Sequence, residues 1–228
     1  DRNVDCENEV EVGTFTPVIE YHISSWTTDP GSNNIMMAPA VAPLDDDNGD
    51  GVVDEHDIPD IVVVTYGGAG TLRAVSGDGS YELFNVVGQG LQGQGAVAVG
   101  DIDADGENEI VACTPTGVKA FSSTGALEWT SPSLSGHIRG TSDAPSIADM
   151  DGDGQPEVIV GRAILNGADG SIRGAGAYGM GTTANVGTTS FAVDLDLDGT
   201  MEVVVGNALY RPDGTDIWHS GESDGYVA

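Results

Sequence analysis

The chain has 228 residues, of which 34 are Gly and 10 are Pro, a composition that leaves little room for long helices and fits one large all-β domain. Its formal charge is -30, with 37 acidic residues against 7 Lys plus Arg, so nucleic acid and anionic membranes are excluded as expected partners. No apolar stretch approaches the roughly 20 residues of a bilayer-spanning helix, and no signal peptide is read, so the expectation is a soluble chain without membrane insertion, or one whose targeting segment has been removed.

In chain order, the first element is a degenerate acidic loop. Asp1, Asn3, Asp5 and Glu9 stand at positions one, three, five and nine ahead of Val10-Glu-Val12, but Cys6 takes the place of the glycine at position six. The next acidic segment runs from Asp45 to Asp57 and contains a twelve-residue register of Asp46, Asn48, Asp50, the Val52 carbonyl, Asp54 and Asp57, with Gly51 at position six. That is the spacing of an EF-hand calcium loop. A register beginning at Asp45 and Asp47 competes with it. Asp60 then opens the strand-like run Ile61 to Val64.

Three further loops follow one pattern. Asp101, Asp103 and Asp105 precede Gly106, Glu107 and Glu109; Asp149, Asp151 and Asp153 precede Gly154, Gln155 and Glu157; Asp194, Asp196 and Asp198 precede Gly199, Thr200 and Glu202. Carboxylates at positions one, three and five converge on one side of a tight turn. The glycine permits the backbone reversal that aims carbonyl seven at the same point, and the acid at nine completes an all-oxygen cage. No His or Cys lies in these loops, which disfavours zinc and copper, and magnesium would want a smaller octahedron with retained waters. Calcium is the expected cofactor, about four ions per chain, which would bring the formal charge from -30 to -22.

The acids that open the apolar runs, Asp60, Glu109, Glu157 and Glu202, are 49, 48 and 45 residues apart, the repeat length of one four-stranded propeller blade. The last repeat is typical: strands over 190–193, 202–206, 208–211 and 215–219, with the turn Pro212-Asp213-Gly214 before the last. The chain is therefore expected to be a single β-propeller domain with repeats near 1–37 (partial), 38–94, 95–142, 143–189 and 190–224, and a further blade starting at 225–228. Both a closed five-bladed ring and a segment of a larger propeller fit that phase.

The loops and their spacing resemble the FG-GAP or VCBS repeat family of integrin-α-like and bacterial surface propellers. The resemblance runs clearly from Val41 to Ala228. It implies a propeller whose calcium loops join the first and second strands of each blade, and ions that stiffen those loops rather than do chemistry. Of the signatures that name the family, Asp143-Ala144-Pro145 and Met37-Ala38-Pro39 match the second element, while the first is missing.

Other patterns have simpler readings. Gly88-Gln-Gly90-Leu-Gln-Gly93 and Gly174-Ala-Gly176-Ala-Tyr-Gly179 match a dinucleotide fingerprint, but no helix follows, and both are expected to be connectors between blades. His22, His56, His137 and His219 show no metal-ligand spacing, and no GxSxG elbow appears. Trp129 and Trp218 recur at one repeat position, which favours packing between blades. Cys113 fits either a buried thiol or a bridge to Cys6. The expected function is a non-catalytic, extracellular or cell-surface adhesion or structural module, bacterial in origin, that binds protein or glycan or self-associates. A lectin-like propeller and the propeller part of a larger secreted enzyme are the alternatives.

Overall fold

The computed structural model describes residues 16–67, 70–180 and 187–221. They form four antiparallel sheets of four strands and contain no helix. The first sheet holds β1 (Ala40–Ala42), β2 (Asp60–Thr65), β3 (Gly70–Val75) and β4 (Glu82–Leu91), and the second β5 (Val97–Gly100), β6 (Glu109–Thr114), β7 (Gly117–Phe121) and β8 (Leu127–Thr130). The third holds β9 (Pro145–Ala148), β10 (Glu157–Val160), β11 (Ala163–Asn166) and β12 (Ile172–Ala175), and the fourth β13 (Ser190–Val193), β14 (Glu202–Val205), β15 (Ala208–Tyr210) and β16 (Asp216–His219). Each sheet is a meander in chain order, so every pairing is local and each acidic loop joins a first strand to a second.

The second strands explain why the sheets stack. β2, β6, β10 and β14 carry apolar runs with no alternating polar residues, as a strand covered on both faces requires. In β10, Val158 and Val160 enter the core shared with Val111, Val118 and Leu134 of the second repeat, whereas Ile159 packs with Val203, Val205 and Tyr210 of the fourth sheet. The first and second sheets share a third core of Leu44, Val62, Leu72, Val97, Ile110 and Phe121. First strands of successive sheets touch in turn, β1 on β5, β5 on β9 and β9 on β13. The four described sheets form an open series rather than a closed ring.

Two buried polar residues tie the series together. Asp143, fully buried, accepts hydrogen bonds from the amides of Arg139, Gly140 and Thr188, the Thr188 hydroxyl and Gln92 Nε2, linking three repeats at one carboxylate. Arg73 of β3 is buried as well. Its guanidinium donates to Thr65 Oγ1, to Asn85 Oδ1 and to the carbonyls of Thr28, Asp29 and Ser32, and lies 4.4 Å over the Trp26 ring. The segment before β1 thereby covers the outer face of the first sheet.

The structure departs from some expectations, agrees with others and leaves a few outside the described residues. Residues 16–37 add no strand to a blade, only an isolated bridge from Asn34 to Tyr66. The loop at 1–9 and the blade start at 225–228 lie outside the described residues. Gly88 to Leu91 is not a connector: β4 runs through it, with positive φ at Gly88 and Gly90. Gly174 likewise sits inside β12, its α-carbon against the Asp213-Gly214 backbone of the next sheet, where a side chain would collide. Cys113 is a buried free thiol. Trp129 packs between blades, its Nε1 donating to the Gly167 carbonyl at 2.8 Å, but Trp218 is 56% exposed.

Replacing Arg73 with Met should strand the carbonyls of Thr28, Asp29 and Ser32, the last of them buried, and lower the unfolding free energy by roughly 3–5 kcal/mol; urea denaturation of the pair of proteins measures it.

Candidate metal loops

Each acidic loop is built on the same ladder of side-chain to backbone hydrogen bonds. In the second repeat, Asp101 accepts from the amides of Asp105 and Gly106, Asp103 from Asp105, and Asp105 from Glu107 at 2.8 Å. The third and fourth repeats match: Asp149 accepts from Gly152, Asp153 and Gly154, and Asp153 from Gln155; Asp194 accepts from Asp198 and Gly199, Asp196 from Asp198, and Asp198 from Thr200. The first loop repeats it from Asp46, which takes the amides of Gly49, Asp50 and Gly51, with Asn48 on Asp50 and Asp50 on Val52.

This ladder bends the chain into the left-handed region at position six, where Gly51, Gly106, Gly154 and Gly199 have φ between 82° and 95°. Position four does the same, with φ of 78° at Gly49, 64° at Ala104, 72° at Gly152 and 61° at Leu197. Nothing crowds the position-six glycines, so the requirement there is conformational rather than steric. Ala104 and Leu197 carry strain that glycine would relieve.

The acid that opens the second strand closes each loop. Glu109 accepts the Ile102 amide at 2.9 Å, Glu157 the Met150 amide at 3.0 Å, Glu202 the Leu195 amide at 3.0 Å, and Asp60 the Leu44 amide at 2.8 Å. All four acids are buried. In three loops this brings oxygens of positions one, three and nine within 4.8 Å of one another: Asp101, Asp103 and Glu109; Asp149, Asp151 and Glu157; Asp194, Asp196 and Glu202. The position-five aspartates Asp105, Asp153 and Asp198 stay outside these clusters and hold the amide of position seven, the residue (Glu107, Gln155 or Thr200) whose carbonyl is the candidate ligand.

The first loop differs. Asp57 is buried and accepts from Asn48 and Asp54, and Asp54 accepts the amide and ring of His56, so its acids brace the loop without forming a cluster of three among the described residues. The ladder begins at Asp46 rather than Asp45. Meanwhile Asp60, the counterpart of Glu109, faces Asp45, and one oxygen of each, Asp45 Oδ1 and Asp60 Oδ1, is buried without a hydrogen-bond partner.

Electrostatics make these clusters cation-seeking. Burial, reinforced by Glu128, Asp103 and Asp105, pushes the Glu109 carboxyl up to about 7. Burial with Asp45, Asp47 and Asp57 pushes Asp60 up to about 6. The third loop contains a stand-in: the Arg173 guanidinium of β12 bonds Asp151 and Glu157 together. An all-oxygen donor set, orphaned buried carboxylate oxygens and a side-chain cation already at one site all fit a divalent oxygen-loving ion.

Signals for Asp143 and Arg73 were weak because neither lies in a repeat motif beyond the Asp-Ala-Pro triplet, and their partners are remote in sequence. Two measurable outcomes follow from the loop geometry. Leu197→Gly should stabilise the protein by roughly 0.5–1 kcal/mol, read by urea denaturation. Because the folded pKa values of Glu109 and Asp60 are raised, the metal-free fold binds protons more tightly than the unfolded chain. The two groups therefore contribute stability that is present below about pH 4 and is lost as pH rises through about 6 to 7, on the order of 2 kcal/mol for each. Thermal melting in chelator at pH 5 and 7.5 tests the slope, which saturating calcium should abolish.

Comparison with known proteins places this geometry. The family model of the FG-GAP-like repeat matches residues 101–160. No curated protein matches the chain by sequence. Among solved structures, the biofilm matrix protein Bap1 of V. cholerae is similar over 89% of this chain at 27% identity and a TM-score of 0.73. The chain spans 33% of that protein. The rhamnogalacturonan lyase YesW matches over 79% of this chain and 30% of its own at 19% identity, TM-score 0.53, and the rhamnogalacturonan lyase of Bacillus licheniformis over 80% and 30% at 19%, TM-score 0.52. The latter two likenesses concern the fold alone. Residues 101–160, which hold the second acidic loop whole and the third to its closing glutamate, are an FG-GAP-like repeat.

Proposed function

We propose that this chain is a calcium-stabilised arc of blades from an extracellular β-propeller, acting as a non-catalytic adhesion or matrix module. The observation that carries the reading is the recurrence of one acidic cluster at the same corner of three successive sheets, each closed by a buried glutamate on the loop backbone. Such acids serve the loop, since every one is spent on amides and on its neighbours. Ligands for calcium are Asp101, Asp103 and Glu109, Asp149, Asp151 and Glu157, and Asp194, Asp196 and Glu202, joined by position-five and position-seven groups. Asp46, Asn48, Asp50, Val52, Asp54 and Asp57 form the fourth site. The extracellular setting follows from the abundance of calcium there and from the similarity to a biofilm matrix protein.

Continuation of the ring beyond the fourth sheet is supported by one row of equivalent residues. Leu44, Ile102 and Met150, each the residue whose amide meets the closing acid, are 3%, 1% and 0% exposed because the next sheet covers them. Leu195, their counterpart, is 55% exposed and lies beside Phe191, Val204, Leu209 and Trp218 in an apolar groove on the fourth sheet. That face is of the kind another blade covers. A partner protein or glycan would then meet the loops at one end of the ring. The lyase-like reading draws only on fold similarity.

Calcium at a hundredfold over its dissociation constant stabilises a site by about 2.7 kcal/mol, so chelation should lower the melting temperature by roughly 5–10 °C for each site emptied. Differential scanning calorimetry with and without chelator decides this, and unchanged melting rejects the calcium reading. For the open face, light scattering of the chain should show concentration-dependent self-association that Leu195→Asp with Trp218→Ser abolishes.

A further inference from the structure

The fourth strands share an irregularity that the acidic loops do not explain. In every sheet the pairing of third with fourth strand shifts by one residue near the start of the fourth, between the pairs Val75 with Glu82 and Ala74 with Phe84, Phe121 with Leu127 and Ala120 with Trp129, Leu165 with Ile172 and Ile164 with Gly174, and Tyr210 with Asp216 and Leu209 with Trp218. One residue per sheet is left unpaired in the bulge: Leu83, Glu128, Arg173 and Ile217. A bulge turns its extra side chain away from the regular alternation, and recurrence at one place in four sheets marks it as a built feature.

One of these side chains bonds the acidic loop of its own sheet, and a second, exposed, lies within electrostatic range of its loop. Arg173 bonds Asp151 and Glu157, two of the three clustered acids of the third loop. Glu128 stands near enough to the second loop that Asp103, Asp105 and Glu107 act on its carboxyl and it acts on Glu109. Leu83 and Ile217 bring no charge. The same structural position thus presents a cation to the third loop, an anion to the second and neither to the first and fourth.

We propose that this bulge residue sets how much each loop depends on a metal ion: Arg173 occupies the cation's place in the third loop and competes with calcium, while Glu128 adds an acid that makes the second loop bind calcium most tightly. The proposal rests on the calcium reading above. It ranks the sites, with the second loop loading first, the first and fourth next and the third last. It also makes the third sheet the one that keeps its loop closed when calcium is withdrawn, a fixed centre from which the neighbouring loops can reload.

A unit charge a few ångströms from a bound ion at a partly solvated site changes its affinity by about tenfold or more. Calcium titration of the full chain by calorimetry, with melting measured in chelator and in saturating calcium, tests the ranking. Arg173→Gln should tighten the weakest site by at least about tenfold and lower the melting temperature in chelator, with recovery in calcium. Arg173→Lys should stay close to the parent in both. Glu128→Gln should loosen the tightest site by about tenfold and raise the melting temperature in chelator. Adding Asp151→Asn to Arg173→Gln identifies the tightened site as the third loop, because the gain should vanish. If the parent binds calcium but Arg173→Gln neither tightens a site nor loses stability in chelator, the proposal falls and the calcium reading stands. If neither the parent nor any variant binds calcium at millimolar concentration, the calcium reading falls, and the proposal with it.

Discussion

A buried carboxylate at the entry to each second strand is the constraint on which the structure depends. Glu109, Glu157, Glu202 and Asp60 are buried, yet each uses one oxygen to hold the amide two residues beyond the end of a first strand. That single bond sets the width of the loop and fixes the register of first against second strand. It also leaves a second oxygen for the other acids of the loop, and at Glu109, Glu157 and Asp60 burial penalises the charge. The fold thereby creates a demand for positive charge at the same corner of successive blades.

Stacking is the other half of the same design. A meander of four short strands has two apolar faces and cannot exist alone, so the cores lie between sheets rather than within them. The buried acid is placed by that stacking: Ile102 and Met150, whose amides it receives, are themselves covered by the following sheet. Loop closure and blade packing are thus coupled, and ion binding in one blade would be felt in the packing of the next. Asp143 and Arg73 supply the polar stitching where apolar contact gives out, the first between repeats and the second between the opening segment and the outer sheet.

Within this repeated frame the chain departs from symmetry in ways that bear on function. Its first loop separates two jobs, with Asp60 anchoring Leu44 while an inserted turn from Asp46 to Asp57 braces itself. Its third loop carries its own cation in Arg173. Its fourth sheet presents an apolar face at the position where earlier sheets are covered.

Much of this was legible in the residues. Three acidic loops ending in Glu109, Glu157 and Glu202 marked the strand boundaries within a residue or two, because the loop chemistry is local: position-one aspartates reach amides only three to five residues on, and only glycine sits at position six without strain. The left-handed residues at position four were hidden, since Ala104 and Leu197 look ordinary in sequence. Gly88 and Gly174 misled because glycine in a strand, needed for positive φ or for the close approach of a neighbouring backbone, reads the same as glycine in a turn. The equivalence of Trp129 and Trp218 was correct for their place in the repeat but not for their burial, which depends on whether a sheet follows.

The sequence by itself determined the period, the strand count per repeat and the oxygen-rich loops, since each rests on residues within reach of one another along the chain. Only the tertiary structure decided that Arg173 bonds the loop of its own sheet, that Asp143 joins three repeats, and that Leu195 is exposed where Met150 is buried. Those outcomes are set by a one-residue bulge and by the order in which sheets cover one another, and neither leaves a local imprint in the pattern of residue types.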